Sequence, residues 1–243
     1  MIAVIDYGAG NLRNVCKALE HVGASFVLTD DVGELRRADK LVLPGVGAFA
    51  DCVNGLHSRK LFDPIREMAL AGKPLLGICV GMQLLFDVGE EMGQWPGLGL
   101  IGGRVVKFDF SRLATEVAPG EPAAERPPTR THERIGADQH SAESPPAVIS
   151  IAGRLKIPHI GWNNITPNAA HPIFTGIERG GYAYFVHSFH AVVTNPAHAI
   201  GLTEYGYDFA SVVAKDNIWG AQFHPEKSQE IGLAMLRNFS NYS

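Results

Sequence analysis

The amino-acid sequence predicts a single α/β domain with a largely parallel central sheet and helices on both of its faces. Short apolar strands alternate with helical stretches through the first 79 residues, which is the pattern of βαβ units. Glycine-rich turns follow the first and third strands, and the fourth strand also ends at a glycine-rich turn. With 243 residues, of which 46% are hydrophobic, the chain can also build a full core.

The chain begins with a complete strand–helix–strand unit. Residues 2–5 are an uninterrupted apolar run and predict a buried strand. The turn Gly8-Ala9-Gly10 follows, and residues 11–21 predict an amphipathic helix. The apolar face of this helix carries Leu12, Val15, Leu19 and Val22. Residues 25–28 predict the second strand.

Two further strands end at conspicuous turns. Residues 40–43 predict a strand that Pro44-Gly45-Val46-Gly47 breaks, and helical stretches continue to about residue 71. Residues 74–78 predict a fourth strand, which ends at Cys79. The carboxyl ends of parallel strands meet at one edge of a sheet, and ligand sites lie just beyond that edge. We therefore expect these turns and Cys79 to lie together.

A segment of different composition interrupts the second half of the chain at about residues 109–152. It is rich in proline, alanine, glutamate and serine, and it lacks apolar periodicity. Such a segment buries too little apolar surface to offset the entropy lost on ordering. Because strand-like stretches resume after it, we interpret it as a mobile insertion within one domain that spans residues 1–243.

Composition and charge narrow the class of protein. A net charge of −4 gives no reason to expect nucleic acid or an anionic membrane as partner. No apolar run reaches the ~18 residues of a membrane span, and the amino terminus lacks the basic region of a signal peptide. The three cysteines, Cys16, Cys52 and Cys79, are too few for a disulfide framework and match no zinc pattern. We expect a protein of the reducing cytoplasm.

The stretch Gly77-Ile78-Cys79-Val80-Gly81 is typical of a nucleophile elbow, with cysteine as the nucleophile. On such a sharp strand-to-helix turn the backbone is cramped, so small residues are needed on both sides. Residues 82–86 predict the following helix, whose amino-terminal end favours the reactive thiolate. The alternative is a buried structural cysteine beside two glycines.

A cysteine nucleophile needs a base and a group that orients the base, and His224 and Glu226 are suited to these roles. Pro225 disfavours helical backbone at His224, and in an extended segment residues i and i+2 point to the same side. Glu226 would then fix the imidazole tautomer and stabilise the imidazolium. The alternative is a surface histidine near a solvated glutamate.

A tetrahedral intermediate also needs an oxyanion hole. The backbone N–H of Val80, next after the nucleophile, is one expected donor. The peptide around Val46 is the other, because glycines on both sides let it rotate, with Val46 and Gly47 supplying the N–H groups. The alternative is an ordinary turn after a strand.

These motifs resemble those of the class I (triad) glutamine amidotransferases. The resemblance rests on residues 43–49, 77–83 and 224–227, and it implies a flavodoxin-like fold without a cofactor. It also implies that Cys79 attacks the side-chain amide of glutamine, His224 protonates the leaving ammonia, and water hydrolyses the thioester. The glutamine-binding residues that the resemblance implies are Gly45, Gln83, Glu91, His187, Ser188 and Phe189.

Other stretches resemble more narrowly those family members that deliver ammonia to a (β/α)₈ cyclase partner in histidine biosynthesis. They are residues 7–12, Pro158-His159-Ile160-Gly161-Trp162-Asn163 and residues 184–189. In those members the cyclase makes imidazole glycerol phosphate and an aminoimidazole carboxamide ribotide. The partner-facing residues that the resemblance implies are Ala9, Asn11, Trp162, Asn163, Tyr184 and Lys227.

Three alternatives remain open. His187 and His190 could bind a metal, but spacing places no third ligand, so we expect no metal. A glutaminase that feeds another synthase, in an amino-sugar or pyridoxal phosphate pathway, would have the same triad. A non-catalytic regulatory subunit with this fold would not need the triad, so the presence of Cys79, His224 and Glu226 argues against it.

Overall fold

The computed structural model of this chain describes residues 1–111 and 155–242. Met1–Phe108 and Lys156–Ser243 form one compact unit. Nearly all of the insertion predicted at residues 109–152 lies outside the described residues, so its mobility remains a prediction. Within the described part, no helix is long and apolar enough to cross a membrane.

The main unit combines a large sheet with flanking helices. Its helices are α1 (Leu12–His21), α2 (Val32–Arg37), α3 (Phe49–Ser58), α4 (Phe62–Leu70), α5 (Val80–Gln83) and α6 (Gln229–Asn241). Its strands are β1 (Ile2–Ile5), β2 (Phe26–Thr29), β3 (Lys40–Gly45), β4 (Leu75–Cys79), β5 (Val88–Gly89), β6 (Trp95–Pro96), β7 (Gly103–Lys107), β8 (His159–Pro167), β9 (Gly181–His187), β10 (Phe189–Val193), β11 (Ala199–Glu204), β12 (Asp208–Lys215) and β13 (Ile218–Ala221).

The sheet is parallel on one side and mainly antiparallel on the other. Strands β2, β1, β3, β4 and β13 lie side by side in that order and pair in parallel, which confirms the predicted parallel core. Beyond β13 the sheet continues through β12, β10, β7, β5 and β6, mainly with antiparallel pairs. A branch of β11, β8 and β9 extends from β12. The antiparallel extension was not predicted.

The core lies under the parallel strands. β1, β4 and β13 are buried at every position, as continuous apolar runs are when helices cover both faces of a sheet. Large buried side chains such as Phe49, Phe86 and Trp219 fill the space around these strands. This packing holds the carboxyl ends of the strands in place.

Three of the central strands end together at the edge expected for a site. Gly45 at the end of β3 lies opposite Cys79 at the end of β4. Ala221 at the end of β13 lies opposite Ile78, so the following segment, with Gln222 and His224, emerges beside the cysteine. The predicted convergence of the third and fourth strand ends is therefore confirmed, and β13 brings His224 to the same edge.

Candidate active site

Cys79 has the strained backbone of a nucleophile elbow. Its φ of 55° and ψ of −114° lie in a region that residues other than glycine rarely adopt. A β-carbon at Gly81 would lie 1.9 Å from the Leu43 carbonyl oxygen, and one at Gly77 would lie 2.6 Å from the Gly81 carbonyl oxygen. Neither position can hold a side chain, as the sequence pattern predicted.

The helix after the elbow is shorter than expected. The sequence predicts a helix over residues 82–86, but α5 is the single turn Val80–Gln83. The carbonyl groups of Leu84 and Phe86 accept hydrogen bonds from the backbone of Leu98 and Gly99, which pack where the helix would continue. So short a helix contributes little dipole at Cys79.

His224 and Glu226 form the expected base and orienting pair. His224 itself is extended, with φ −97° and ψ 96°, but Pro225–Lys227 form a 3-10 helix and not the extended segment that was predicted. This turn brings Oε1 of Glu226 to 2.9 Å from His224 Nδ1. The imidazole is 3% exposed and the carboxylate side chain is 0% exposed. Since Nδ1–H donates to the carboxylate, Nε2 is the ring nitrogen left for the hydrogen bond with Cys79.

The environment of His224 favours the imidazolium. Burial of the ring opposes its charge, but the hydrogen bonds to Cys79 and Glu226 outweigh burial and raise the pKa of His224 to about 9. Ser228 holds the segment in place by donating its hydroxyl hydrogen to the His224 carbonyl over 2.7 Å. Cys79, His224 and Glu226 are thus brought together as a hydrogen-bonded row.

A second polar residue beside the cysteine was missed by sequence reasoning. Gln222 is fully buried, and its Nε2 lies 4.0 Å from Cys79 Sγ. Its Oε1 accepts a hydrogen bond from Gln83 Nε2 over 3.1 Å, and the same Gln83 nitrogen lies 3.1 Å from the Phe189 carbonyl oxygen. No local signal marked it, because its position beside Cys79 follows from the pairing of β13 with β4.

The strand end around Val46 lies against the elbow. A β-carbon at Gly45 would lie 2.5 Å from the backbone nitrogen of Gly81 and 2.9 Å from the carbonyl carbon of Val80. Gly47 has a φ of 93°, which suits glycine. Only a glycine at position 45 lets the two backbones come this close, so the predicted oxyanion residues on both strands are neighbours.

The predicted residues line one pocket of about 310 Å³, which is within the usual range for small-molecule sites. Two predicted residues are not among its lining residues: Glu226, which hydrogen-bonds with His224, and Gly45, the expected glutamine-binding residue before Val46. Pro158 and Val186 are additional wall residues that sequence reasoning did not predict. The lining residues are Val46, Gly47, Cys79, Val80, Gln83, Glu91, Pro158, Val186, His187, Ser188, Phe189 and His224.

Glu91 connects this pocket to the helix after the oxyanion strand. Its Oε2 accepts a hydrogen bond of 2.7 Å from the backbone N–H of Phe49, the first residue of α3. A carboxylate at a helix amino terminus satisfies a free N–H group and interacts favourably with the dipole. Glu91 therefore has a structural contact besides its predicted contact with the glutamine ammonium.

Three buried histidines lie around Phe108, and two of them form a directed chain of hydrogen bonds. His187 Nδ1 lies 2.8 Å from the Phe189 carbonyl and must donate to it, so its Nε2 accepts from His159 Nδ1 over 3.0 Å. His159 Nε2 then accepts from the side-chain amide of Asn163 over 3.3 Å. Each neutral ring thus has one defined tautomer.

Burial keeps these imidazoles neutral. It lowers the pKa of His187 to about 3 and that of His159 to about 4, and it also lowers the pKa of His190. The His190 ring instead shares a hydrogen bond of 2.9 Å with the Tyr207 hydroxyl. Among residues 1–111 and 155–242, no group of three or more His, Cys, Asp or Glu side chains is arranged to hold a metal ion.

The residues expected to face a partner lie in three places. The ring centroids of Trp162 and Tyr184 are 6.0 Å apart, and Lys227 Nζ lies 5.7 Å from the Tyr184 centroid, so these three form one cluster. Asn163 points to the other face of β8, where its amide donates to the Glu204 carbonyl. Ala9 and Asn11, both half-buried, flank the start of α1. Their contact with a partner remains a prediction.

Comparison with known proteins gives consistent results at the level of sequence. The profile of the family described as glutamine amidotransferase class-I matches residues 3–241. A Sulfurimonas denitrificans protein named imidazole glycerol phosphate synthase subunit HisH is 41% identical over 242 residues, which cover 100% of this chain and 98% of that protein. A Syntrophotalea carbinolica protein of the same name is 42% identical over 241 residues, with coverage of 99% and 100%.

Solved structures agree at the level of fold. One described as a glutamine amidotransferase matches with a TM-score of 0.64 at 13% identity and covers 100% of both chains. A chain of PurLQS from Thermotoga maritima also matches with a TM-score of 0.64, at 19% identity, with coverage of 99% of this chain and 97% of that one. The predicted fold class and the predicted family resemblance are confirmed.

Proposed function

The chain belongs to the class I glutamine amidotransferase family, and from this premise we propose that it is the glutaminase subunit of an imidazole glycerol phosphate synthase. It hydrolyses glutamine to glutamate and ammonia, and it passes the ammonia to a (β/α)₈ cyclase subunit in histidine biosynthesis. The observation that carries the proposal is the hydrogen-bonded row of Cys79, His224 and Glu226 in a pocket lined by the expected glutamine-binding residues.

The first half of the reaction forms a thioester. The thiolate of Cys79 attacks the side-chain amide carbon of glutamine, and the carbonyl oxygen becomes an oxyanion held by backbone N–H groups at Val80 and at the Val46–Gly47 strand end. His224, protonated through its pair with Glu226, gives its Nε2 proton to the departing nitrogen. The C–N bond breaks, ammonia leaves, and the γ-glutamyl group remains on sulfur.

The second half regenerates the cysteine. His224, now neutral, removes a proton from a water molecule, and the resulting hydroxide attacks the thioester carbon. The C–S bond breaks, glutamate leaves, and the imidazolium again faces the thiolate. In total, glutamine and water give ammonia and glutamate, whose new carboxyl group releases its proton to solvent, and the protein returns to its starting protonation state.

Delivery of ammonia to a partner follows from its acid–base chemistry. Ammonia in bulk water at neutral pH is mostly ammonium, which is not a nucleophile, so a synthase gains by passing it directly. Support for this particular partner comes from the two relatives of about 40% identity, which match over nearly their full lengths and carry the name of a synthase subunit. The exposed aromatic cluster of Trp162 and Tyr184 offers a surface for it.

A Cys79→Ala variant tests the proposal. In the complex with the cyclase, it should abolish glutamine-dependent synthesis and leave synthesis from added ammonium salt intact, because the sulfur acts only in glutamine hydrolysis. Cys16→Ala is the matched control, since Cys16 lies on α1 outside the pocket, and it should retain both activities. Loss of both activities in a folded Cys79→Ala complex would contradict the assignment.

A further inference from the structure

We propose that Tyr7 and Cys52 are positioning residues that hold the oxyanion strand by its backbone carbonyl groups and direct the Gly47 N–H toward Cys79. The oxyanion strand is here residues 44–47. The inference rests on the proposed glutaminase function and adds two residues to it that line no part of the pocket. Neither residue touches glutamine in this arrangement, so both act through the strand.

The two side chains bind alternate carbonyl groups of the strand. The Tyr7 hydroxyl donates to the Pro44 carbonyl over 2.7 Å, and the Cys52 thiol donates to the Val46 carbonyl over 3.5 Å. Tyr7 follows β1 and Cys52 lies on α3, so the donors come from two different elements of the core. Both are almost completely buried, with exposed fractions of 1% and 0%.

The peptide bond between Val46 and Gly47 links these contacts to the oxyanion site. β3 ends at Gly45, opposite Cys79, so Val46 and Gly47 follow directly beyond its last paired residue. The Val46 carbonyl and the Gly47 N–H belong to one trans peptide and point in opposite directions. A contact that holds the Val46 carbonyl therefore also fixes the direction of the Gly47 N–H.

The two donors keep their hydrogens at neutral pH. Burial raises the pKa of the Cys52 thiol to about 11, and burial together with the neighbouring Cys52 raises the pKa of Tyr7 well above its ordinary value. A thiolate or phenolate could not donate to a carbonyl oxygen, so the raised values preserve both contacts. Cys52 is therefore a hydrogen-bond donor and not a second nucleophile.

Close packing holds the Tyr7 ring in place, in addition to the hydrogen bond that its hydroxyl group makes. A β-carbon at Gly55 on α3 would lie 3.0 Å from the Tyr7 ring, and one at Gly45 would lie 3.0 Å from its hydroxyl oxygen. Both glycines let the ring fill the space between α3 and the oxyanion strand. Because Glu91 binds the Phe49 N–H just beyond this strand, all three anchors limit how far the strand can shift.

Three variants test the inference in the complex with the cyclase. Tyr7→Phe removes only the hydroxyl, Cys52→Ala removes the thiol donor, and Cys52→Ser restores a donor of nearly the same size. Cys16→Ala is the matched cysteine control. Tyr7→Phe and Cys52→Ala should each lower kcat for glutamine about 10-fold with KM unchanged, less than the ~10²–10³-fold cost of removing an oxyanion donor itself. Cys52→Ser should restore most of kcat.

The outcomes separate this inference from the proposed function. Wild-type kcat in both Tyr7→Phe and Cys52→Ala would overturn it, and so would a Cys52→Ser variant as slow as Cys52→Ala, since that result indicates packing alone. Ammonia-dependent synthesis reports whether each complex is folded and should stay at the wild-type level. If the wild-type complex does not hydrolyse glutamine, the proposed function fails instead.

Discussion

At the scale of single residues, the His224–Glu226 pair decides in which pH range the site works. The folded-state pKa of His224, about 9, lies above the ordinary histidine value of 6.5. The hydrogen bonds of His224 with Cys79 and Glu226 raise this pKa, so they stabilise the folded protein fully below pH 6.5, and that contribution is lost as pH rises through about 9. The same proton is the one that ammonia needs on leaving, so stability and general-acid catalysis decline over the same range.

Glu226→Gln should move this range to lower pH. A neutral amide still accepts the Nδ1 hydrogen but no longer compensates the charge of the imidazolium, so the pKa of His224 should fall by about one unit or more, or about 1.4 kcal/mol. The pH at which kcat/KM for glutamine declines on the alkaline side should fall in the same way in the complex, because this decline reports deprotonation of the essential acid. An NMR titration of His224 gives the pKa directly.

The control for this experiment is Glu90→Gln. Glu90, next to Glu91 in the sequence, is also a paired carboxylate, but its partner is Arg104 at the surface and not a histidine. This control variant should leave the pH profile unchanged. If Glu226→Gln leaves both the titration of His224 and the alkaline limb at wild-type values, Glu226 does not set the protonation of the acid. The hydrogen bond of 2.9 Å would then have only an orienting role.

At the scale of elements, the ladder of β8 and β9 has one apolar face exposed and one packed inward. Cross-strand partners on the exposed face are Ile160 with Val186 and Trp162 with Tyr184. Ile160 is 60% exposed and Trp162 is 48% exposed. A contiguous exposed apolar face of this kind is typical of a protein–protein interface. The inward face instead carries His159 and His187, of which His187 lines the pocket and His159 contacts His187 from behind.

Trp162→Ala should weaken binding of the cyclase subunit by about 2 kcal/mol or more, the loss typical of a buried aromatic at an interface. Titration calorimetry of the two purified subunits measures it. Leu70→Ala is the control, because Leu70 is also exposed but lies on α4. Equal affinities of wild type and Trp162→Ala would place the interface on another face of the molecule.

The elements that sequence could predict are those governed by local rules. The elbow was predictable because such a turn requires small residues on both sides of the nucleophile, and Gly77 and Gly81 supply them within the five consecutive residues 77–81. The parallel strands were predictable from their apolar runs. The single-turn length of α5 was not, because it depends on backbone bonds from Leu98 and Gly99, which lie more than ten residues further along the chain.

The antiparallel half of the sheet shows the same limit. Strands β7 and β10 pair through five positions although more than eighty residues separate them in sequence. No local pattern specifies such a partner, and long-range pairing depends on the whole set of competing strands. Gln222 was missed for a related reason. Its position beside Cys79 requires the pairing of β13 with β4, which the chain order alone does not give.

At the scale of the whole molecule, hydrogen bonds join the β8–β9 ladder to Cys79. Asn163, His159 and His187 form one directed row that ends on the Phe189 carbonyl. Gln83 binds the same carbonyl and continues through Gln222 toward Cys79. One network of hydrogen bonds therefore connects the packed face of the β8–β9 ladder with the pocket, although they belong to opposite halves of the chain.

The oxyanion strand is the part of this hydrogen-bonded network in which a peptide group can rotate. The Leu41 N–H donates to the Pro74 carbonyl on the β4 side, so alternation along β3 turns the Gly45 carbonyl to the same side, and the Val46 N–H of the same peptide faces away. One expected oxyanion donor is thus turned away from the reacting carbon. Rotation of the Gly45–Val46 peptide between its two anchored neighbours would exchange the carbonyl for the N–H.

The isolated chain should therefore hydrolyse glutamine slowly, and the cyclase with its ligand bound should raise turnover by about 10²–10³-fold, the cost of one missing oxyanion donor. Ligand binding to the cyclase would favour the rotated peptide, so glutamine is not wasted when no acceptor is present. Steady-state glutaminase assays on the subunit alone, the complex, and the complex with an acceptor analogue measure the effect. Equal turnover in all three would show that the oxyanion hole is complete without the partner.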